Sequence, residues 1–110
     1  MQYTILITTS QLRTNWLINR SLLSVYRQTD IDRSQCSVFV VDDNKSAEEF
    51  TTIQKCINRL RKDCQLGANE FPTTLLKNQR TRFMSGTGAW NTGLHTIYER
   101  CPAGYVSILD

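Results

Sequence analysis

Apolar positions in this chain follow two rhythms. Short, nearly continuous runs of β-forming residues alternate with stretches in which apolar residues recur every three or four positions. That is the pattern of buried strands alternating with amphipathic helices. The first run, Tyr3-Thr-Ile-Leu-Ile-Thr8, predicts a central strand buried on both faces. A polar turn, Thr9 to Arg13, leads into a helix over residues 14–28, on which Ile18, Leu22, Val25 and Tyr26 form one stripe. The second strand, Ser37-Val-Phe-Val-Val41, stops abruptly at Asp42-Asp43-Asn44-Lys45. A second helix starts at Ser46, where Ser46 and Glu49 fit a capping box, and Phe50, Ile53, Ile57 and Leu60 give its buried stripe. Leu66-Gly-Ala-Asn69 reads as a loop, and Thr73-Thr-Leu-Leu-Lys77 as a weaker third strand. Residues 78–88 are polar and hold two glycines, the mark of a loop. A third helix covers Ala89 to Arg100 with Leu94, Ile97, Tyr98 and Cys101 inward, and Pro102 and Gly104 close it. The last strand is Tyr105-Val-Ser-Ile-Leu109, followed by Asp110.

The order βαβαβαβ predicts a single α/β domain. Right-handed crossovers make its four-stranded sheet mostly parallel, with helices on both faces, a Rossmann-like half. Ligands of such sheets bind beyond the carboxyl ends of the strands, near the point where strand order reverses. Three of the four strand ends are polar: Thr8-Thr9-Ser10, Asp42-Asp43-Asn44 and Asp110. Hydroxyls and carboxylates are therefore expected around one crevice.

Composition narrows this little. At 110 residues, 40% of them hydrophobic and 21% charged, the chain suits one ordinary globular domain. No apolar run approaches the ~20 residues of a membrane span. MQYTILITTS has neither a basic n-region nor a long apolar core, so no signal peptide is read there. A cytoplasmic setting with reduced thiols follows as the expectation. The four cysteines, Cys36, Cys56, Cys64 and Cys101, form no C-x-x-C pair, and His95 has no cysteine nearby, which argues against zinc. Net charge is +3. The cluster Arg59-Leu60-Arg61-Lys62 reads as a solvated helix face, whereas Lys77, Arg80 and Arg82 lie where a phosphate-bearing ligand could reach them. No aromatic-rich basic stripe points to nucleic acid.

Asp42-Asp43 is the most informative local feature. One aspartate can cap the next turn while the other is solvated, yet Asn44 and Ser46 already offer capping groups. A carboxylate at a strand end also accepts hydrogen bonds from a ribose hydroxyl or a base N–H. The local pattern leaves both readings open. Ser85-Gly-Thr-Gly88 precedes a helix and could wrap a phosphate. It matches neither G-x-G-x-x-G after a strand nor a P-loop, and an ordinary loop entering a helix explains it. No G-x-S-x-G elbow is present, and mid-helix His95 reads as a surface or packed histidine.

Taken together, the segments resemble family 2 glycosyltransferases of the GT-A fold over nearly the whole chain. The resemblance rests on Ile5-Leu-Ile-Thr-Thr9, on Ser24-Val-Tyr-Arg-Gln28-Thr29 and on Val40-Val-Asp-Asp-Asn-Lys-Ser46, which carries one extra residue before the serine. It continues in Lys77-Asn78 with Gly88-Ala-Trp-Asn-Thr-Gly93, and in Ala103-Gly-Tyr-Val-Ser-Ile-Leu-Asp110. The resemblance implies that Thr9 and Asp43 bind the nucleobase, that Asp42 supports their loop, and that Asp110 is the first aspartate of a D-x-D motif. Asp110 would then lie near the ribose and a divalent cation, Mg²⁺ or Mn²⁺, held on the donor diphosphate. The donor would be a nucleotide-diphosphate sugar, and the acceptor a carbohydrate or lipid-linked hydroxyl deprotonated by a carboxylate base. The second D-x-D aspartate, the acceptor site and that base are expected beyond Asp110, possible inner-membrane-face parts included, so these 110 residues are expected to transfer no sugar alone. Trp90 stands where the family usually has an arginine facing the diphosphate, a charge that Lys77, Arg80 or Arg82 would have to replace. Two rivals stay open: a non-catalytic nucleotide-binding module of the same fold, and a nucleotidyltransferase-like domain. The second would carry a glycine-rich loop after the first strand, and Thr8 to Arg13 has no glycine.

Overall fold

A computed structural model of the chain describes residues 3–10, 14–44, 47–78, 87–100 and 104–109. Its sheet has four parallel strands in the order β3-β2-β1-β4, with β1 Tyr3–Thr9, β2 Cys36–Asp42, β3 Thr73–Lys77 and β4 Tyr105–Leu109. Helix α1 spans residues 14–26, α2 is Ala47–Asp63 and α3 is Thr87–Arg100. The α/β class, the parallel sheet and the helices on both faces agree with the sequence reading, and every strand lies within a residue or so of its expected place.

The order follows from handedness. Strands β1, β2 and β3 step in one direction, so right-handed crossovers put α1 and α2 on the same face. The connection from β3 to β4 runs back across the sheet, which puts α3 on the other face. On the first face Ile5, Ile7, Val38 and Val40 pack with Leu17, Leu22, Val25 and Tyr26 of α1 and Ile53, Ile57 and Leu60 of α2. On the second, the alternate residues Leu6, Phe39 and Val41 meet Ile97, with Leu94 and Leu76 beside them. The period-two alternation of β1 and β2 thus feeds two cores from one pair of strands.

Three details differ from the periodicity. Residues Leu17–Leu22 of α1 form a π-helical stretch. Its wider turn brings Leu17 and Leu22, five apart, into the core together, while Ile18 is only half-buried. In α3, Gly93 and Ile97 face the sheet at i, i+4, and Tyr98, expected inward, is 66% exposed. One further residue around the helix carries it past the contact; Cys101 and Ser46 lie outside the described residues. Finally, Arg61 is not part of a solvated face. Its guanidinium donates to the carbonyls of Gly67 (3.0 Å), Glu70 (2.8 Å) and Phe71 (2.6 Å) and to Thr73 Oγ1 (3.2 Å), and it stacks on the Tyr26 ring. The loop it ties holds Gln65 and Phe71 at φ of 57° and 44°, the left-handed region that side chains disfavour. Burial pushes the Tyr26 phenol above its usual range, opposed by its hydrogen bond with Thr73 and by Arg61. Among the described residues no helix is long and apolar enough to cross a membrane.

Two substitutions test this packing. A Cβ on Gly93 would sit 3.0 Å from Val41 Cγ2 and closer still to Leu6 Cδ1. Gly93→Ala should therefore cost about 1–3 kcal/mol in urea unfolding by forcing α3 off the sheet; an unchanged midpoint would show that α3 is loosely seated. Arg61→Ala removes the side-chain donor of the Glu70 carbonyl, while Gly67 keeps the Glu70 N–H and Phe71 keeps the Thr73 hydroxyl, and should cost about 1–3 kcal/mol by the same assay.

Candidate functional site

The strand order reverses between β1 and β4, and in sheets of this kind ligands bind beyond the carboxyl ends of the strands at that point. Thr9 ends β1, Asp42 ends β2 and Lys77 ends β3, and the three stand in register across the sheet. β4 runs parallel to β1 with Leu109 opposite Ile7, so it points towards the same edge. Asp110 itself lies outside the described residues, as do Arg80, Arg82 and Ser85-Gly86.

The two aspartates are neighbours in sequence and have opposite assignments in space. Alternation sends Asp42 to the face of Val38 and Val40, where it is fully buried. There Asp42 Oδ1 accepts from the Asn44 backbone N–H (2.9 Å) and from Asn44 Nδ2 (2.5 Å), an Asx turn that ends the strand. Its Oδ2 has no hydrogen-bond partner among the described residues and lies 3.6 Å from Lys77 Nζ, which also donates to the Asn44 carbonyl at 2.8 Å. Asp42 is thus the carboxylate that shapes the turn. Lys77 is engaged by that turn through both contacts.

Asp43 turns the other way, towards α3. Its backbone N–H donates to the Thr9 carbonyl at 2.8 Å, which carries the β1–β2 ladder one step beyond the strands. Its Oδ1 accepts from Asn78 Nδ2 at 2.6 Å, and Asn78 Oδ1 accepts from Thr92 Oγ1 of α3 at 2.7 Å. The Asn78 N–H donates to the Asp42 carbonyl at 2.9 Å. Asp43 is half-buried, and its second oxygen has no partner among the described residues. Thr9 is buried, and its hydroxyl likewise has no partner there. A buried hydroxyl without a partner is costly, which makes it a natural contact for a ligand.

The structure therefore brings Thr9, Asp42 and Asp43 to one edge. It adds Asn78 and Thr92, to which sequence reading gave no role. A polar residue one step past a strand, and a threonine on the sheet side of an apolar helix, were the available signals. No group of three His, Cys, Asp or Glu among the described residues is arranged to hold a metal ion. The expected divalent cation rests on Asp110 alone, which lies outside the described residues. A separate cavity of about 690 Å³ lies between α1 and β4, lined by Tyr3, Ile5, Val25, Ile31, Ser107 and Leu109 among others. It includes none of the strand-end polar residues and marks the part of β4 that no described helix covers.

Comparison with protein-family models, with curated proteins and with solved structures found no match.

The division of labour at this edge has a measurable consequence. Lys77→Met leaves the buried Asp42 carboxylate without its cation and should destabilise the fold by about 2–3 kcal/mol, allowing for the partial exposure of Lys77. Asp43→Ala should cost only about 1 kcal/mol, since water can reach that position. Denaturant unfolding of both variants checks the order; a greater loss at Asp43 would reverse the two assignments.

Proposed function

We propose that this edge of the sheet binds the nucleoside of a sugar nucleotide, and that the chain is the donor-binding part of a family 2-like glycosyltransferase. The observation that carries the proposal is the state of Asp43. One of its oxygens is anchored by Asn78 and its backbone is anchored to Thr9, while the other oxygen has no partner among the described residues. A carboxylate fixed in this way offers one oriented acceptor to a base N–H or a ribose hydroxyl. Thr9 adds a buried hydroxyl at the same strand end, on the face to which Asp42 turns. The five ordered motifs are what suggest the family, and the strand-end geometry is what favours a binding role for Asp43.

In this reading Thr9 and Asp43 address the base and ribose, and Asp42, Asn44 and Lys77 hold the loop that presents them. In the intact enzyme a divalent cation would neutralise the departing nucleoside diphosphate, and a carboxylate base would take the proton of the acceptor hydroxyl.

Calorimetric or NMR titration with uridine monophosphate and diphosphate tests the proposal. Weak binding is expected. Asp43→Ala should lower affinity roughly ten- to a hundredfold, the cost of one hydrogen bond to a charged acceptor. Thr9→Val, which keeps the shape and removes the hydroxyl, should weaken binding without lowering stability. Equal binding by wild type and a folded Asp43→Ala protein would make Asp43 a turn residue and place the base elsewhere.

A further inference from the structure

We infer that Asn78 is the residue that positions Asp43 for nucleotide recognition, acting as an oriented strut between the loop after β2 and helix α3. The inference rests on the proposed nucleotide site and adds a residue to it. An amide side chain can present either its oxygen or its nitrogen to a neighbour. Here the carboxylate end fixes the choice. A carboxylate only accepts, so the group facing Asp43 Oδ1 is Nδ2–H, at 2.6 Å. That turns Oδ1 towards Thr92 Oγ1, whose hydroxyl donates at 2.7 Å. The polarity then runs one way, from the Thr92 hydroxyl through the Asn78 amide to the Asp43 carboxylate.

Asn78 is well placed for this. It is 97% buried, being 3% exposed, and its own N–H is tied to the Asp42 carbonyl at 2.9 Å. Thr92 is one residue from Gly93, the point where α3 presses closest on Leu6 and Val41. The far end of the strut is thus set on the best-seated part of the helix. Through it, one oxygen of Asp43 is held and the other is aimed. A loop carboxylate without such a strut would have to lose its rotamer freedom each time a ligand bound.

A double-mutant cycle tests this in the full chain, with uridine monophosphate as the probe. Asn78→Ala should weaken binding about three- to tenfold, and Thr92→Val less, in the same direction. Both effects should vanish in an Asp43→Ala background, because the strut acts only through that carboxylate. Thermal unfolding confirms that each variant is folded, and Thr92→Val, which leaves Asn78 in place, serves should Asn78→Ala fail to fold. Without ligand, the Asn78 side-chain amide protons should shift in NMR spectra when Asp43 is replaced. Loss of affinity on Asn78→Ala or Thr92→Val that persists at full size in the Asp43→Ala background would overturn the inference while leaving the nucleotide reading intact, as would amide protons indifferent to Asp43. Absence of any binding by wild type would instead defeat the nucleotide reading, and the inference with it.

Discussion

The central strands β1 and β2 are buried on both faces, and most of the molecule's arrangement follows from that. Ile5 and Ile7 serve one core while Leu6 serves the other, and Val38 and Val40 alternate with Phe39 and Val41 in the same way. Such strands have little room for polar side chains along their length. Chemistry can enter only where they stop. At the carboxyl edge the backbone still needs partners, and the chain supplies them by extending the ladders: Asp43 N–H to the Thr9 carbonyl, Asn78 N–H to the Asp42 carbonyl. The polar edge is therefore a continuation of the sheet, and its side chains inherit the sheet's alternation.

That inheritance explains what could be read in the sequence and what could not. The elements were legible because strand and helix rhythms differ and each apolar run is short and bounded. Strand β3 matched from Thr73 to Lys77 despite its weak pattern, since a strand there was the only way to continue the alternation of strands and helices. The convergence of Thr9, Asp42 and Asp43 was also legible, because a parallel sheet leaves no other edge for them. The distinct fates of Asp42 and Asp43 were harder to see. Two adjacent aspartates look alike in a string, and only the parity of the strand assigns one to the buried turn and the other to the α3 side. Asn78 and Thr92 could not be paired from sequence, since they sit 14 positions apart and meet only because α3 crosses back over the sheet.

Arg61 shows the complementary failure. Charge clustering on a helix usually means solvent, and Arg59 and Lys62 fit that. Arg61 lies near the helix end beside a loop whose carbonyls turn inward, and its planar set of donors suits several acceptors at once. The same loop carries the left-handed residues Gln65 and Phe71. A one-dimensional pattern records the charge and omits the acceptors.

The strand-end geometry also bears on how a recognition carboxylate can coexist with a stable fold. A buried aspartate helps folding only when its oxygens are engaged, and an engaged aspartate has little left for a ligand. Adjacent aspartates on opposite faces divide these demands. Asp42 faces inward, where the Asx turn and Lys77 hold it. Asp43 is relieved of turn formation, so it needs to be held only once, by Asn78, and one oxygen can be left over. On this argument the pair works as a unit. On the proposed reading, the acceptor that Asp43 offers depends on the neighbouring carboxylate that holds the turn.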